Sequence, residues 1–215
     1  MTTDYTYRAV ETFNKCREII QGITAKYIVE NILRTKYRVL KAKGLENIEK
    51  AKKYVIASNH LTNFDPFFVA SQLKGKGPIA YMAKKELFEP FFSRLVMNWC
   101  GAFAVDRDNV NVSTIKTALS IKKTSWHFGI FPQGTRTQEK ILKATKGFAS
   151  IAKKMGREIL PVGIIRKANN NRFFKKEDFY INVGKPISTE GTVDEIYDAW
   201  CKAIAALTDL QYIPC

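Results

Sequence analysis

The strongest constraint on this chain is an alternation. Strand-like apolar runs at Tyr37–Ala42, Tyr54–Ser58, Ile79–Ala83, Ala102–Val105, Trp126–Phe131, Ile159–Ile165 and Phe179–Val183 take turns with stretches of helical spacing. Those stretches begin at Pro66, end at Trp99, and occupy Val112–Lys122, Lys146–Met155 and Val193–Leu207. Strands that alternate with helices predict an α/β domain, a mixed and largely parallel sheet flanked by helices. At 215 residues the chain is long enough for one closed core and too short for two large ones. In such sheets ligands gather at the carboxyl ends of strands, so the residues just after each run carry the interest. The polar stretch Lys167–Asp178, with three successive asparagines, predicts an exposed loop or hairpin tip.

Ahead of the alternating region, Val10, Phe13, Ile20, Ile23, Tyr27, Ile28, Ile32 and Leu33 recur mostly three and four residues apart, which predicts an N-terminal amphipathic helix within residues 1–36. Arg8, Lys15, Arg17, Lys26 and Arg34 accompany that stripe. The helix therefore has two readings, one on an anionic membrane surface and one packed on the core. Residues 37–215 make up the remaining domain. Lysine and arginine number 35 against 20 aspartates and glutamates, a net charge of +15, so the surface attracts anions: nucleic acid, anionic lipid or phosphorylated small molecules. The longest stretch without a charged residue, Thr124–Thr135, is too short to span a bilayer, and no secretory signal is visible. A cytoplasmic protein, soluble or peripheral, is the expectation. Cys16, Cys100, Cys201 and Cys215 have no CxxC spacing and only two histidines to join them, so they read as free thiols rather than metal ligands.

Two segments have the composition of a reactive site. In Asn59-His60-Leu61-Thr62-Asn63-Phe64-Asp65-Pro66 the histidine follows a strand, and a turn of four residues brings the carboxylate beside the imidazole. A histidine so held accepts a proton while the aspartate fixes its tautomer. Asp65 also suits a helix N-cap, because Pro66 fits the first helical position. At the end of the Trp126–Phe131 strand, Phe131-Pro132-Gln133-Gly134-Thr135-Arg136 combines glycine, which allows close backbone approach, with a guanidinium fork suited to phosphate. A solvated arginine in a turn is the plainer account of Arg136. His127, inside the strand, reads as a core histidine.

These segments resemble, in order, the conserved blocks of the glycerolipid acyltransferase family typified by 1-acylglycerol-3-phosphate acyltransferase. Asn59–Asp65 is similar to the NHxSxxD block, an HX4D motif, with Thr62 in the serine position. Gly101–Arg107 resembles the second block, Phe131–Arg136 the FPEGTR block and Leu160–Ile164 the fourth, so the resemblance covers about Val55 to Ile165. It implies transfer of a fatty acyl group from acyl-coenzyme A or acyl carrier protein to the hydroxyl of a lysophospholipid, with no metal and no cofactor beyond that co-substrate. His60 would be the base and Asp65 its partner. Arg107, Gln133, Gly134, Thr135 and Arg136 would hold the acceptor and its phosphate, with Lys84, Lys85 and Lys146 as further contacts.

One departure stands out: Gln133 occupies the usual glutamate position, which keeps hydrogen bonding and removes a charge. The apolar cluster Leu87, Phe88, Phe91, Phe92, Leu95, Val96 and Trp99 reads as core or, with Phe67 and Phe68, as the wall of an acyl groove. An anionic membrane at the inner face of the cell and phosphorylated substrates account for the charge. A nucleic-acid module is disfavoured because the lysines are spread along the chain without a zinc-finger or RNP block. A hydrolase is disfavoured by the lack of a GxSxG elbow. Intact His60 and Asp65 argue against a silent lipid-binding relative.

Overall fold

The computed structural model describes residues 10–28, 31, 37–39, 41–73, 75–106, 112–136, 142–169 and 176–213. Among the described residues there are seven strands: β1 (Tyr37–Val39), β2 (Val55–Ser58), β3 (Ile79–Lys84), β4 (Phe103–Val105), β5 (His127–Ile130), β6 (Ile159–Asn169) and β7 (Lys176–Val183). They form one sheet in the order β1-β7-β6-β2-β5-β3-β4. Every neighbouring pair is parallel except β6 and β7, which run antiparallel. The helices are α1 (Lys15–Tyr27), α2 (Asp65–Gln72), α3 (Phe91–Trp99), α4 (Val112–Ser120), α5 (Gly147–Met155) and α6 (Val193–Leu207). The expected mixed, mostly parallel sheet flanked by helices is thus observed, along with the N-terminal helix.

Both faces of the sheet are covered, which is why β2 reads as an unbroken buried run rather than an alternating one. On one face Ile56, Tyr81 and Leu160 pack with Phe68 and Val69 of α2 and with Leu73 just past its end. On the other, Val55, Ala57 and Phe128 meet Phe148 and Ala152 of α5 and Trp200 and Ile204 of α6. The period-2 alternation of strand side chains sends Val55 and Ile56 to these opposite layers. Helix α6 starts at a capping box, in which Thr192 and Glu195 satisfy each other's backbone amides.

Two sequence expectations change. Strand β6 runs on to Asn169 and pairs with β7 from Lys176, so the ends of the polar stretch Lys167–Asp178 are strand, and its tip lies outside the described residues. In α1 the inward face carries Gln21 and Ala25, while Ile19, Ile20, Ile23 and Tyr27 are exposed. Gln21 makes this possible. Its amide donates to the carbonyls of Ile79 and Cys100 and accepts from the Ile79 amide, so a buried polar side chain is fully paired.

Candidate active site

Strands β2, β5 and β3 are parallel neighbours, so their carboxyl ends open on the same edge of the sheet. Strand β2 ends in an unusual way. Asn59 is buried, and its side chain donates to the Ile164 carbonyl at 2.9 Å and accepts from the Ile164 amide at 2.7 Å. The amide group takes over the ladder position that the next backbone unit would have filled, so the main chain turns away and His60 leaves the sheet. Sequence reasoning gave Asn59 no role. The available signal was a pair of polar residues, Ser58 and Asn59, closing an apolar run.

The turn that follows is organised by one carboxylate. Asp65 is fully buried at the first residue of α2, and its Oδ2 lies 2.7 Å from His60 Nδ1. The same oxygen accepts from the amides of Leu61 at 2.6 Å and Thr62 at 2.9 Å, and Oδ1 accepts from the Thr62 hydroxyl at 2.8 Å. Thr62 Oγ1 in turn accepts from the Phe64 amide at 3.1 Å, so threonine supplies the hydroxyl of the usual serine. The N-cap of α2 is Phe64, not Asp65, and the carboxylate reaches back into the turn instead of capping. With Nδ1–H donating to the carboxylate, the lone pair of the imidazole sits on Nε2, which has no partner among the described residues. That is the tautomer of a general base.

Register adds a second hold. Ala57 pairs with Ile130, which carries the two strand ends in step and sets His60 opposite Gln133. The His60 amide donates to Gln133 Oε1 at 2.7 Å, and the His60 ring stacks on Phe131 at 4.2 Å. Gly134, at φ 68°, closes the turn after β5 in a conformation that side chains disfavour.

Two spaces meet at this edge. An apolar cavity of about 160 Å³ is lined by His60 and, under α1, α2 and α3, by Ala25, Phe67, Ala70, Met97 and Cys100. An open groove of about 380 Å³ lies beside Leu61, Thr62, Phe64 and Tyr37. Asn63, Thr135 and Arg136 border both.

A model of the family described as Acyltransferase matches residues 39–165, and the chain is 31% identical over 148 residues to the 1-acyl-sn-glycerol-3-phosphate acyltransferase of Bacillus subtilis. The chain belongs to the acyltransferase family. The Bacillus match takes in 69% of this acyltransferase and 73% of its relative. Proteins of the same name from Streptococcus pneumoniae and Borreliella burgdorferi are 33% and 31% identical over 138 residues, about half of each relative's length. The fold is that of the 1-acyl-sn-glycerophosphate acyltransferase PlsC from Thermotoga maritima, with a TM-score of 0.66 and 18% identity, covering 89% of this chain and 81% of that one.

The other sequence-selected residues of this acyltransferase are placed as follows. Lys84 lines the apolar cavity and pairs with Glu86 at 3.1 Å, while Lys85 pairs with Asp106. Lys146 pairs with Asp194 of α6 at 2.6 Å and lies over the Tyr197 ring, so it is engaged away from the two spaces. Arg107 lies outside the described residues. Leu87 lines the cavity, whereas Phe91, Phe92 and Trp99 are exposed on α3 and Phe88 alone of the cluster is buried. His127 is buried in β5, as expected of a core residue. Among the described residues Cys16, Cys100 and Cys201 form no disulfide, and no group of histidine, cysteine or carboxylate side chains could hold a metal.

Proposed function

We propose that this acyltransferase moves a fatty acyl group from a thioester, acyl-coenzyme A or acyl carrier protein, to the free hydroxyl of 1-acyl-sn-glycerol-3-phosphate, giving phosphatidic acid. The observation that carries the reading is the His60–Asp65 pair, 2.7 Å apart, at the meeting of an apolar cavity and a groove bordered by Arg136. The names of the curated relatives point to the same acceptor. The cavity suits a hydrocarbon chain, and the guanidinium with the Thr135 hydroxyl suits a phosphate.

In this scheme His60 Nε2 takes the proton of the acceptor hydroxyl as its oxygen adds to the thioester carbonyl. Asp65, held by three donors of the turn besides His60, keeps the imidazole oriented and favours the imidazolium. Collapse of the adduct expels the thiolate, which takes the proton back from His60. No metal or further cofactor enters the scheme. Arg136, Thr135 and Gly134 hold the acceptor headgroup, with Arg107 and Lys84 as candidate supports and Lys85 and Lys146 more remote.

Exposed Ile19, Ile20, Ile23 and Tyr27 on α1, with Phe91, Phe92 and Trp99 on α3, support docking on an anionic membrane surface, helped by Lys15 and Lys26. No described helix is long and apolar enough to cross a membrane. Residues 1–36 then serve as the docking segment and residues 37–215 as the acyltransferase domain, working at the inner face of the cell membrane. Nucleic acid has no part in this reading.

The test is thiol release from palmitoyl-coenzyme A and from an acyl carrier protein thioester, with 1-acyl-glycerol-3-phosphate or a headgroup-bearing lysophospholipid as acceptor. Release that depends on 1-acyl-glycerol-3-phosphate and is abolished in a folded His60→Ala protein is the expected result. Release indifferent to acceptor would make the protein a thioesterase instead.

A further inference from the structure

Hydrogen-bond accounting among the described residues leaves four buried side-chain atoms without a partner: Tyr81 Oη, Glu86 Oε2, Trp126 Nε1 and Gln133 Nε2. Buried polar groups in native proteins are almost always paired, so each exception calls for a water, an ion, strain or a ligand to account for it. Two of the four belong to the surroundings of His60, Gln133 in direct contact and Tyr81 one ring removed on the wall of the same cavity. Gln133 holds the His60 amide through its other atom. Tyr81 belongs to a file of three nearly parallel rings, 5.7 Å and 12° from Phe131, which itself lies 4.2 Å and 23° from His60.

Tyr81 reaches this position through a glycine. Its register partner on β5 is Gly129, and a Cβ there would come within 2.5 Å of the Tyr81 ring. Only a residue without a side chain lets the ring lean across the neighbouring strand. The ring then forms part of the wall of the apolar cavity, with the residue 6% exposed. Phenylalanine would fill the same space without an unpaired hydroxyl, so folding alone gives no reason for the oxygen. Burial, with Asp65 and Cys100 nearby, pushes the phenol's ionisation far up, which keeps it a neutral donor.

An acyl chain in this cavity is hydrocarbon except for its carbonyl and any oxygen substituent close to it. We propose that Tyr81 Oη donates a hydrogen bond to an oxygen at the carboxyl end of the acyl donor, the thioester carbonyl being the oxygen that every donor carries. The inference rests on the acyl-transfer reading above and deepens it. As the acceptor oxygen bonds to the carbonyl carbon and its proton passes to His60 Nε2, the carbonyl electron pair moves onto oxygen, where the phenol O–H meets the growing charge. The C–S bond then breaks, the carbonyl re-forms, and the thiolate takes the proton from His60. Donors aimed at such an oxyanion contribute about 100- to 1000-fold in rate.

The experiment compares wild type with Tyr81→Phe in the full chain. Three coenzyme A analogues are titrated: a long-chain ketone that keeps a carbonyl, the alkyl thioether that lacks it, and a thioether with a hydroxyl near the sulfur. The expected result is that wild type prefers the ketone over the plain thioether about tenfold and that Tyr81→Phe loses this preference without a lower melting temperature. With palmitoyl-coenzyme A, kcat falls by about 100-fold or more, and KM rises by no more than the roughly tenfold seen with the ketone. Loss confined to the hydroxylated analogue keeps the donor role and moves its partner from the carbonyl to the chain. Binding of all three analogues as in wild type, or a uniform loss together with a lower melting temperature, overturns the proposal. These titrations need no acceptor, so a wild type that prefers the ketone yet fails to acylate 1-acyl-glycerol-3-phosphate refutes the proposed acceptor and leaves Tyr81 in its role.

Discussion

The two histidines of this chain stand at opposite ends of one sheet. His127 opens β5 at the amino edge, and His60 follows β2 at the carboxyl edge. Each has a hydrogen bond at Nδ1, and each ring lies parallel or nearly so to an aromatic neighbour, Tyr54 for His127 and Phe131 for His60. The second nitrogen separates them. At His127 the Tyr54 amide donates to Nδ1 and Nε2–H donates to the Lys76 carbonyl, both at 3.0 Å, so the ring ties two backbone segments together. Burial pushes its pKa down to about 4. At His60 the partner of Nδ1 is a carboxylate, and Nε2 has no partner among the described residues, as the proposed base requires. The lesson is that a histidine becomes a strut or a base according to what holds its two nitrogens.

That contrast breaks most visibly at His60. His60→Ala is expected to lower acyl transfer by about 1000-fold or more while circular dichroism stays that of the wild type, as measured by acceptor-dependent thiol release. Asp65→Asn makes the partner of His60 neutral, as the partners of His127 are. It also turns an amide donor toward the donors of Leu61, Thr62 or His60, so kcat is expected to fall about 100-fold with a stability loss of about 1 to 3 kcal/mol in urea unfolding.

His127→Leu tests the strut. It strands the Tyr54 amide and the Lys76 carbonyl, so about 2 to 4 kcal/mol of stability is lost near neutral pH while turnover per folded molecule holds. The unfolded chain takes up a proton at His127 near the ordinary value of 6.5, and the folded protein only near 4. Between those values the unfolded state binds more protons, so wild-type stability falls as the pH is lowered. The variant lacks this dependence, and its deficit is expected to shrink by about 2 kcal/mol between pH 7 and pH 5. The smallest effect sharpens the His60 side of the comparison. Gln133→Glu keeps an acceptor for the His60 amide and replaces the unpaired amide nitrogen with an acceptor, so a folded enzyme with about a several-fold change in acceptor KM is expected. An unchanged acceptor profile in steady-state kinetics would remove Gln133 from the specificity argument.

Much of this was legible because it is local. Apolar runs four to seven residues long mark the strands, and the reactive turn and the Pro132–Arg136 turn sit directly after two of them. What escaped depends on partners distant in sequence. Gln21 faces inward although polar, because the ends it satisfies belong to Ile79 and Cys100, and no periodicity registers that. Asp65 beside His60 belongs with the legible part, since the His60, Leu61 and Thr62 partners of its carboxylate all lie within five residues. Tyr81 is one more apolar strand residue in the sequence, and only the register with Gly129 shows where its ring goes. The pairing of Lys146 with Asp194 likewise joins residues far apart in the chain.

The register between Ala57 and Ile130 has a consequence for heat resistance. His60, Phe131 and Gln133 hang on two strands in the interior of a seven-stranded sheet, not on a loop with a separate anchorage. Peripheral segments open at low cost, whereas central strands open only when the whole domain does. The pair of strands that carries the proposed base is therefore among the last parts of the molecule to come apart, so fraying of its edges need not silence it.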